Sequence, residues 1–198
     1  GDMAKVDASA FPVLNMLNTR YFIFPLQGGK TMPIQNPYTL GNAWFVDKVQ
    51  YVNNANEEIE SLHKVMPAKV AVVDKKFAEQ VKPVAVSDSL RFVKLVAYEP
   101  NDLKYEVSSE KGGVVVFSEI YYPGWQAYID GVEAPHGRAD YILRAMNVPA
   151  GKHMVEFKFD PKSLHTTETI AFVALGLLAM AVLLLLVLQG KALWGKKG

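Results

Sequence analysis

Four carboxylates, Glu119, Asp130, Glu133 and Asp140, lie close together in the chain and are the first residues that could do chemistry. Paired carboxylates serve general acid–base catalysis and glycoside cleavage. Turns and strand faces carry such groups just as readily, so the sequence assigns no catalytic pair. His63, His136, His153 and His165 are far apart and form no HxxxH or HExxH spacing, so no metal site is expected and all four read as ordinary surface residues. His165 and Glu168, three apart, can share one face at a helix start. There is no cysteine, hence no disulfide and no thiolate site. Gly28-Gly29 and Gly112-Gly113 do not match a phosphate-cradling loop, and no serine sits in a GxSxG elbow, so no cofactor is expected. The densest chemistry is aromatic: "IYYPGWQAYIDG", residues 120–131, which is either the core of a β-domain or a platform for a ligand.

The elements that must position this stretch are strands. Pro123-Gly124 and Asp130-Gly131 are turn chemistry, and the latter predicts a tight hairpin in which Gln126 to Ile129 pairs with the segment around Glu133, Ile129 being the better core residue and Tyr128 facing the other way. Strands are expected at Ser89–Tyr98, Lys104–Ser109, Gly113–Tyr122, Trp125–Ile129, Tyr141–Asn147 and His153–Phe159, separated by turn signals. That pattern predicts an antiparallel β-sandwich over 83–165. Upstream, residues 1–82 read as a small mixed α/β lobe. It has helical spacing at Val13, Leu14 and Leu17, a β-like run from Tyr21 to Phe24, and a loop over 27–42. A strand follows from Ala43 to Asn53, then a helix from Glu57 to Val65 capped by Asn56, and a short strand from Lys69 to Val73. Lys82-Pro83 is the expected boundary. The fold class is mainly β, α+β overall.

Ile170 to Leu188 reads IAFVALGLLAMAVLLLLVL, 19 residues without a charge. As a helix it spans about 28 Å, close to the hydrocarbon core of a bilayer. It is expected to be a transmembrane helix, with 189–198 as its tail. Lys191, Lys196 and Lys197 stand behind it with no acid among them, and Trp194 suits the headgroup layer, so the tail is expected to be cytoplasmic and residues 1–169 extracytoplasmic. About ten residues connect the last strand to the apolar run, which keeps the sandwich near the bilayer. A net charge of +1 without a basic cluster argues against nucleic acid. No Asn-x-Ser/Thr sequon occurs, which suits a bacterial ectodomain. Gly1-Asp2 ahead of Met3 reads as a cloning remnant, and a longer parent protein is expected.

The motifs "YYPGWQAYIDG" and "VPAGKHMVEFKF", together with NMLNTRYFIFP and NPYTLGNAWFVDKV, resemble bacterial YfhO-type multi-pass membrane proteins, from about Val13 to Leu188. The resemblance implies a GT-C-like glycosyltransferase that takes a sugar from a polyprenyl-phosphate carrier and acts on a cell-envelope polymer. Its catalytic acid would lie in loops of upstream spans, so no catalytic residue carries over and this region alone is expected to be inactive. Within that frame Tyr122, Trp125, Gln126, Tyr128, Arg138, Asp140 and Tyr141 are the candidate glycan contacts: rings stack on the apolar faces of sugars, and polar groups bond the hydroxyls. The expected partners are the membrane, the upstream spans of the parent chain and a cell-envelope glycan. A membrane-tethered structural or protein-interaction module is the competing reading.

Overall fold

The structure, a computed structural model, describes residues 11–84 and 90–194, with the side chains of 162 and 189–194 excepted. Gly1-Asp2, the start of the strand expected from Ser89, the Trp194 ring and the lysines of the tail therefore lie outside what is described. The protein is mainly β, and it divides into residues 1–159 and 160–198.

In the first unit, two antiparallel sheets face each other. One has the order β10-β9-β13-β7-β6, built from β6 (Phe92–Glu99), β7 (Asp102–Ser109), β9 (Trp125–Ile129), β10 (Val132–Ala134) and β13 (Gly151–Phe159). The other has the order β11-β12-β8-β3, from β3 (Ala43–Val46), β8 (Gly113–Ile120), β11 (Gly137–Ala139) and β12 (Leu143–Val148). Between them lie Tyr105, Phe117 and Phe157, mutually edge-on at 4.9, 6.3 and 4.8 Å. Such aromatic pairs contribute about 0.5–1.5 kcal/mol each beyond the area they bury.

Strand β8 is the centre of this unit. Val115 and Phe117 face the sandwich core, while Val114 and Val116 face a second core made with Val52, Leu62, Val72 and Val73. The unbroken apolar run Val114–Phe117 is what a strand covered on both faces requires. The second core is closed by α2 (Ala55–Ser61) between β4 (Lys48–Val52) and β5 (Val70–Asp74), which pair in parallel as a strand–helix–strand unit must.

The boundary expected at Lys82-Pro83 therefore does not separate two folding units. β3 pairs with β8 from Ala43↔Phe117 to Val46↔Val114, and residues 1–159 form one unit. The single strand expected over Ala43–Asn53 breaks at Asp47, because Lys69 O takes the amides of both Asp47 and Lys48 and turns the chain from one sheet to another. The helix cap is Asn54, not Asn56: its Oδ1 accepts from Glu57 N at 3.0 Å while Glu57 Oε2 accepts from Asn53 N, a reciprocal cap that starts the helix earlier. Helix α1 (Pro12–Met16) matches the helical spacing read there. The expected loop over 27–42 contains a strand, β2 (Thr31–Gln35), paired with β1 (Tyr21–Pro25). Pro33 is tolerated because this two-stranded sheet consists only of edges.

The Asp130-Gly131 hairpin forms with Val132↔Ile129 and Glu133↔Tyr128. Both turn residues have positive φ, 52° and 82°, which the two-residue turn demands and Gly131 accommodates without strain.

The second unit is α3 (Lys162–Trp194), whose stretch Ser163–Leu188 is long and apolar enough to cross a membrane. It includes the 19 residues read from the sequence. It is apolar on all sides, as a lipid-facing helix must be and an amphipathic surface helix is not.

Candidate functional site

The aromatic stretch sorts by strand alternation. On β9, Trp125, Ala127 and Ile129 point into the sandwich, and Gln126 and Tyr128 point out. Tyr121, just past the end of β8, packs edge-on to Phe77 at 5.2 Å and tilted on His136 at 5.8 Å. Tyr122 is left 61% exposed, 6.2 Å from Phe159, which in turn sits 5.3 Å from its cross-strand partner Trp125.

Beneath these rings is Arg144, which the sequence reading passed over. A β-bulge places it: Leu143 pairs with Ile120 but Arg144 with Phe117, so Ser118 and Glu119 are extra on β8. The Arg144 guanidinium lies 3.9 Å from the Trp125 ring centre and 5.0 Å from that of Phe157, and its Nε donates to Ile120 O at 3.0 Å. The residue is 2% exposed, and its Nη1 is without a hydrogen-bond partner among the described residues, as is the buried Tyr105 hydroxyl. Burial lowers the Arg144 pKa to about 10, against the charge of Glu119, so the guanidinium stays charged at neutral pH. Burial raises the Glu119 carboxyl, with Arg144 opposing, and raises the Tyr105 phenol. His136, packed between Tyr121 and Phe157, is pushed down to about 4 by burial and by Arg144. It is a neutral, half-buried ring rather than the ordinary surface residue expected of it. This end of the sandwich thus gathers a cation, an acid, a phenol and a neutral imidazole among aromatic rings, with Tyr105 and Arg144 themselves buried beneath the exposed Tyr122.

The seven residues singled out in the sequence do not come together here. Tyr122 and Trp125 are at this end of the sandwich. Gln126 and Tyr128 lie on the outer face, where the Tyr128 hydroxyl donates to Gln126 Oε1 at 2.6 Å and its ring meets Lys158, beside a ladder of Lys158, Glu156, Lys104 and Asp102. Arg138, Asp140 and Tyr141 belong to the second core. Glu58, wholly buried, binds Arg138 through one oxygen and accepts from Tyr141 N at 2.9 Å through the other. Asp140 is wholly buried, exchanges hydrogen bonds with the Val72 backbone at 2.8 Å in both directions, and has one carboxyl oxygen without a partner. Its pKa is pushed up to about 8 by burial. This cluster ties α2 and β5 to the β11–β12 turn and presents no carboxylate to solvent.

A further, mainly apolar groove of about 400 Å³ is lined by Asn15, Tyr38, His63, Lys64 and Met66 among others. Among the described residues no group of three His, Cys, Asp or Glu could hold a metal ion.

The fold and its apolar helix define a membrane-associated β-sandwich protein. Residues 77–171 match the family described as bacterial membrane protein YfhO, which is consistent with a YfhO-type membrane protein region. It runs from the turn after β5 through β13 into the first apolar residues of α3. No curated protein and no solved structure matches the chain.

Proposed function

We propose that this region is an extracytoplasmic accessory domain of a glycosyltransferase-like membrane protein, and that it recognises a cell-envelope glycan at the mouth of the sandwich. The observation that carries the reading is Tyr122: an exposed ring continuing through Phe159 to Trp125, over a buried arginine with an uncommitted N–H. Rings stack on the apolar faces of a sugar, and Arg144 and Glu119 supply hydrogen bonds or an ion pair to its polar groups. In this reading the tail is cytoplasmic and the sandwich outside, an orientation that the lysines behind the apolar helix support. The transferase chemistry belongs to upstream spans of the parent protein, which the resemblance implies.

The test is titration of envelope oligosaccharides into the reconstituted chain, read by chemical shifts of the Trp125 and Tyr122 rings. Binding in the millimolar range or tighter is expected, weakened at least fivefold by Tyr122→Ala, an exposed substitution that leaves the core intact. No shift at millimolar sugar, or unchanged affinity in Tyr122→Ala, overturns the reading in favour of a structural or protein-interaction module.

A further inference from the structure

The β1–β2 hairpin takes no part in either polar cluster, and its composition is unlike that of a solvated ribbon. The strands pair over five positions, about 16 Å, and turn through Leu26 to Lys30 on Gly28 and Gly29, both at positive φ. Every residue from Ile23 to Pro33 is exposed, and the hairpin is a sheet of its own. One face sets Phe22 opposite Ile34 and Phe24 opposite Met32; the other sets Ile23 opposite Pro33 beside Tyr21. Ile23 is 71% and Tyr21 59% exposed. Phe11, Phe22 and Phe24 continue as one ridge at 5.7 and 6.4 Å. The base is held firmly: Asn36 donates through its side chain to Asn15 Oδ1 and Thr19 O, and through its amide to Arg20 O. An isolated two-stranded hairpin is marginal in water, and an apolar projection of this size needs a partner.

Three observations select a lipid surface as that partner. Both faces carry exposed apolar side chains, Phe24 and Met32 on one and Ile23 and Pro33 between Gln35 and Thr31 on the other, so a flat protein surface would cover one and leave the other wet, whereas a lipid layer surrounds both. Between Ala8 and Val46 the only charged residues are Arg20 and Lys30, with no acid, which complements anionic headgroups. The chain also carries a helix long and apolar enough to cross a membrane, only Asp160 and Pro161 separating β13 from α3, which would keep a bilayer at high local concentration. We propose that the β1–β2 hairpin dips into the interfacial layer of the bilayer, its aromatic and aliphatic side chains among the upper acyl chains and Arg20 and Lys30 at the phosphates. The open strand edges limit the depth, because unpaired backbone groups are not tolerated in the hydrocarbon. This inference is independent of the glycan reading.

The chain has no cysteine, so Ile23→Cys, Met32→Cys and, as a control on the β9–β10 hairpin of another sheet, Glu133→Cys each give a unique site for an environment-sensitive fluorophore. The full chain is reconstituted in phosphatidylcholine–phosphatidylglycerol vesicles containing lipids with a nitroxide high on the acyl chain. Quenching at positions 23 and 32 at least twofold stronger than at 133, with a blue-shifted emission, is expected. Quenching equal to the control overturns the proposal. So does energy transfer between labelled chains that replaces lipid quenching, which would assign the hairpin to a second copy.

Discussion

Replacing Asp140 by asparagine should stabilise the protein at neutral pH. In the unfolded chain this carboxyl ionises near 3.9, while in the fold burial holds its pKa at about 8. The folded state therefore binds the extra proton between these values, and stability falls as pH rises through the window, by about 1.4 kcal/mol per unit, levelling above about 8. At pH 7 that amounts to an upper bound of about 4 kcal/mol. Asparagine keeps the acceptor for Val72 N–H and tolerates the left-handed φ of 50°, without an ionisation to favour the unfolded chain. Its amide N–H, placed where the carboxyl oxygen has no partner, gives back about 1–3 kcal/mol. The expected result is Asp140→Asn more stable than the natural protein by about 1–3 kcal/mol at pH 7 and less stable by about 0.5–2.5 kcal/mol at pH 4, where the ionisation gain is nearly gone and the unpaired amide still costs. Glu58, also raised by burial, has the same sign, so the pH slope shrinks without vanishing. Urea unfolding at pH 5, 6 and 7, followed by tryptophan fluorescence, measures it. An asparagine variant less stable than the natural protein at pH 7 would show that the buried carboxyl is ionised and needed as such, which would refute the reasoning.

Gly112→Ala should destabilise well beyond the ~1–2 kcal/mol of a left-handed alanine, because its Cβ would meet Val148 O at 2.7 Å; Gly131→Ala, with positive φ but open space, should cost only the strain, and urea midpoints of the two separate clash from conformation. His136→Phe should weaken acid destabilisation between pH 6.5 and 4, since the folded state holds this imidazole neutral while the unfolded chain protonates it; comparison of unfolding midpoints at pH 7 and 5 reads the difference. A chain ending at Lys162 should be folded by circular dichroism and soluble without detergent, whereas the full chain requires detergent or lipid.

What the sequence revealed divides along a physical line. Local signals were legible: Asp130-Gly131 as a hairpin, the extent of β9, and the apolar run that becomes the long apolar helix α3. Each depends on neighbours in the chain. What escaped depends on partners far away. β3 reads as a generic alternating segment, and only its pairing with β8 makes it the fourth strand of a sandwich sheet. Asp140 and Arg138 looked like solvent-facing polar groups because nothing nearby reveals that Glu58 and Val72 are brought to them across more than sixty residues. The continuous Val114–Phe117 run did carry the signal for two-sided burial, and it foretells the packing of two cores on one strand.

The aromatic density of residues 120–131 now has a cause. A strand that must close the end of a sandwich needs rings on its inner positions, and Trp125 fills one by lying against a guanidinium rather than against carbon alone. Arg144 is a costly choice for that place: a buried cation with an unpaired N–H is harder to keep than a methionine of similar volume. A bulge that brings Glu119 to the same mouth offsets part of the cost, yet packing alone would be served better by apolar residues. Packing explains Tyr121, Trp125 and Ile129. It does not explain an unsaturated arginine beneath an exposed Tyr122, and that mismatch between core logic and polar content is the reason to look for a ligand at this mouth rather than at the Glu58–Arg138 pair, where both Glu58 oxygens are engaged although Arg138 Nε also lacks a partner among the described residues.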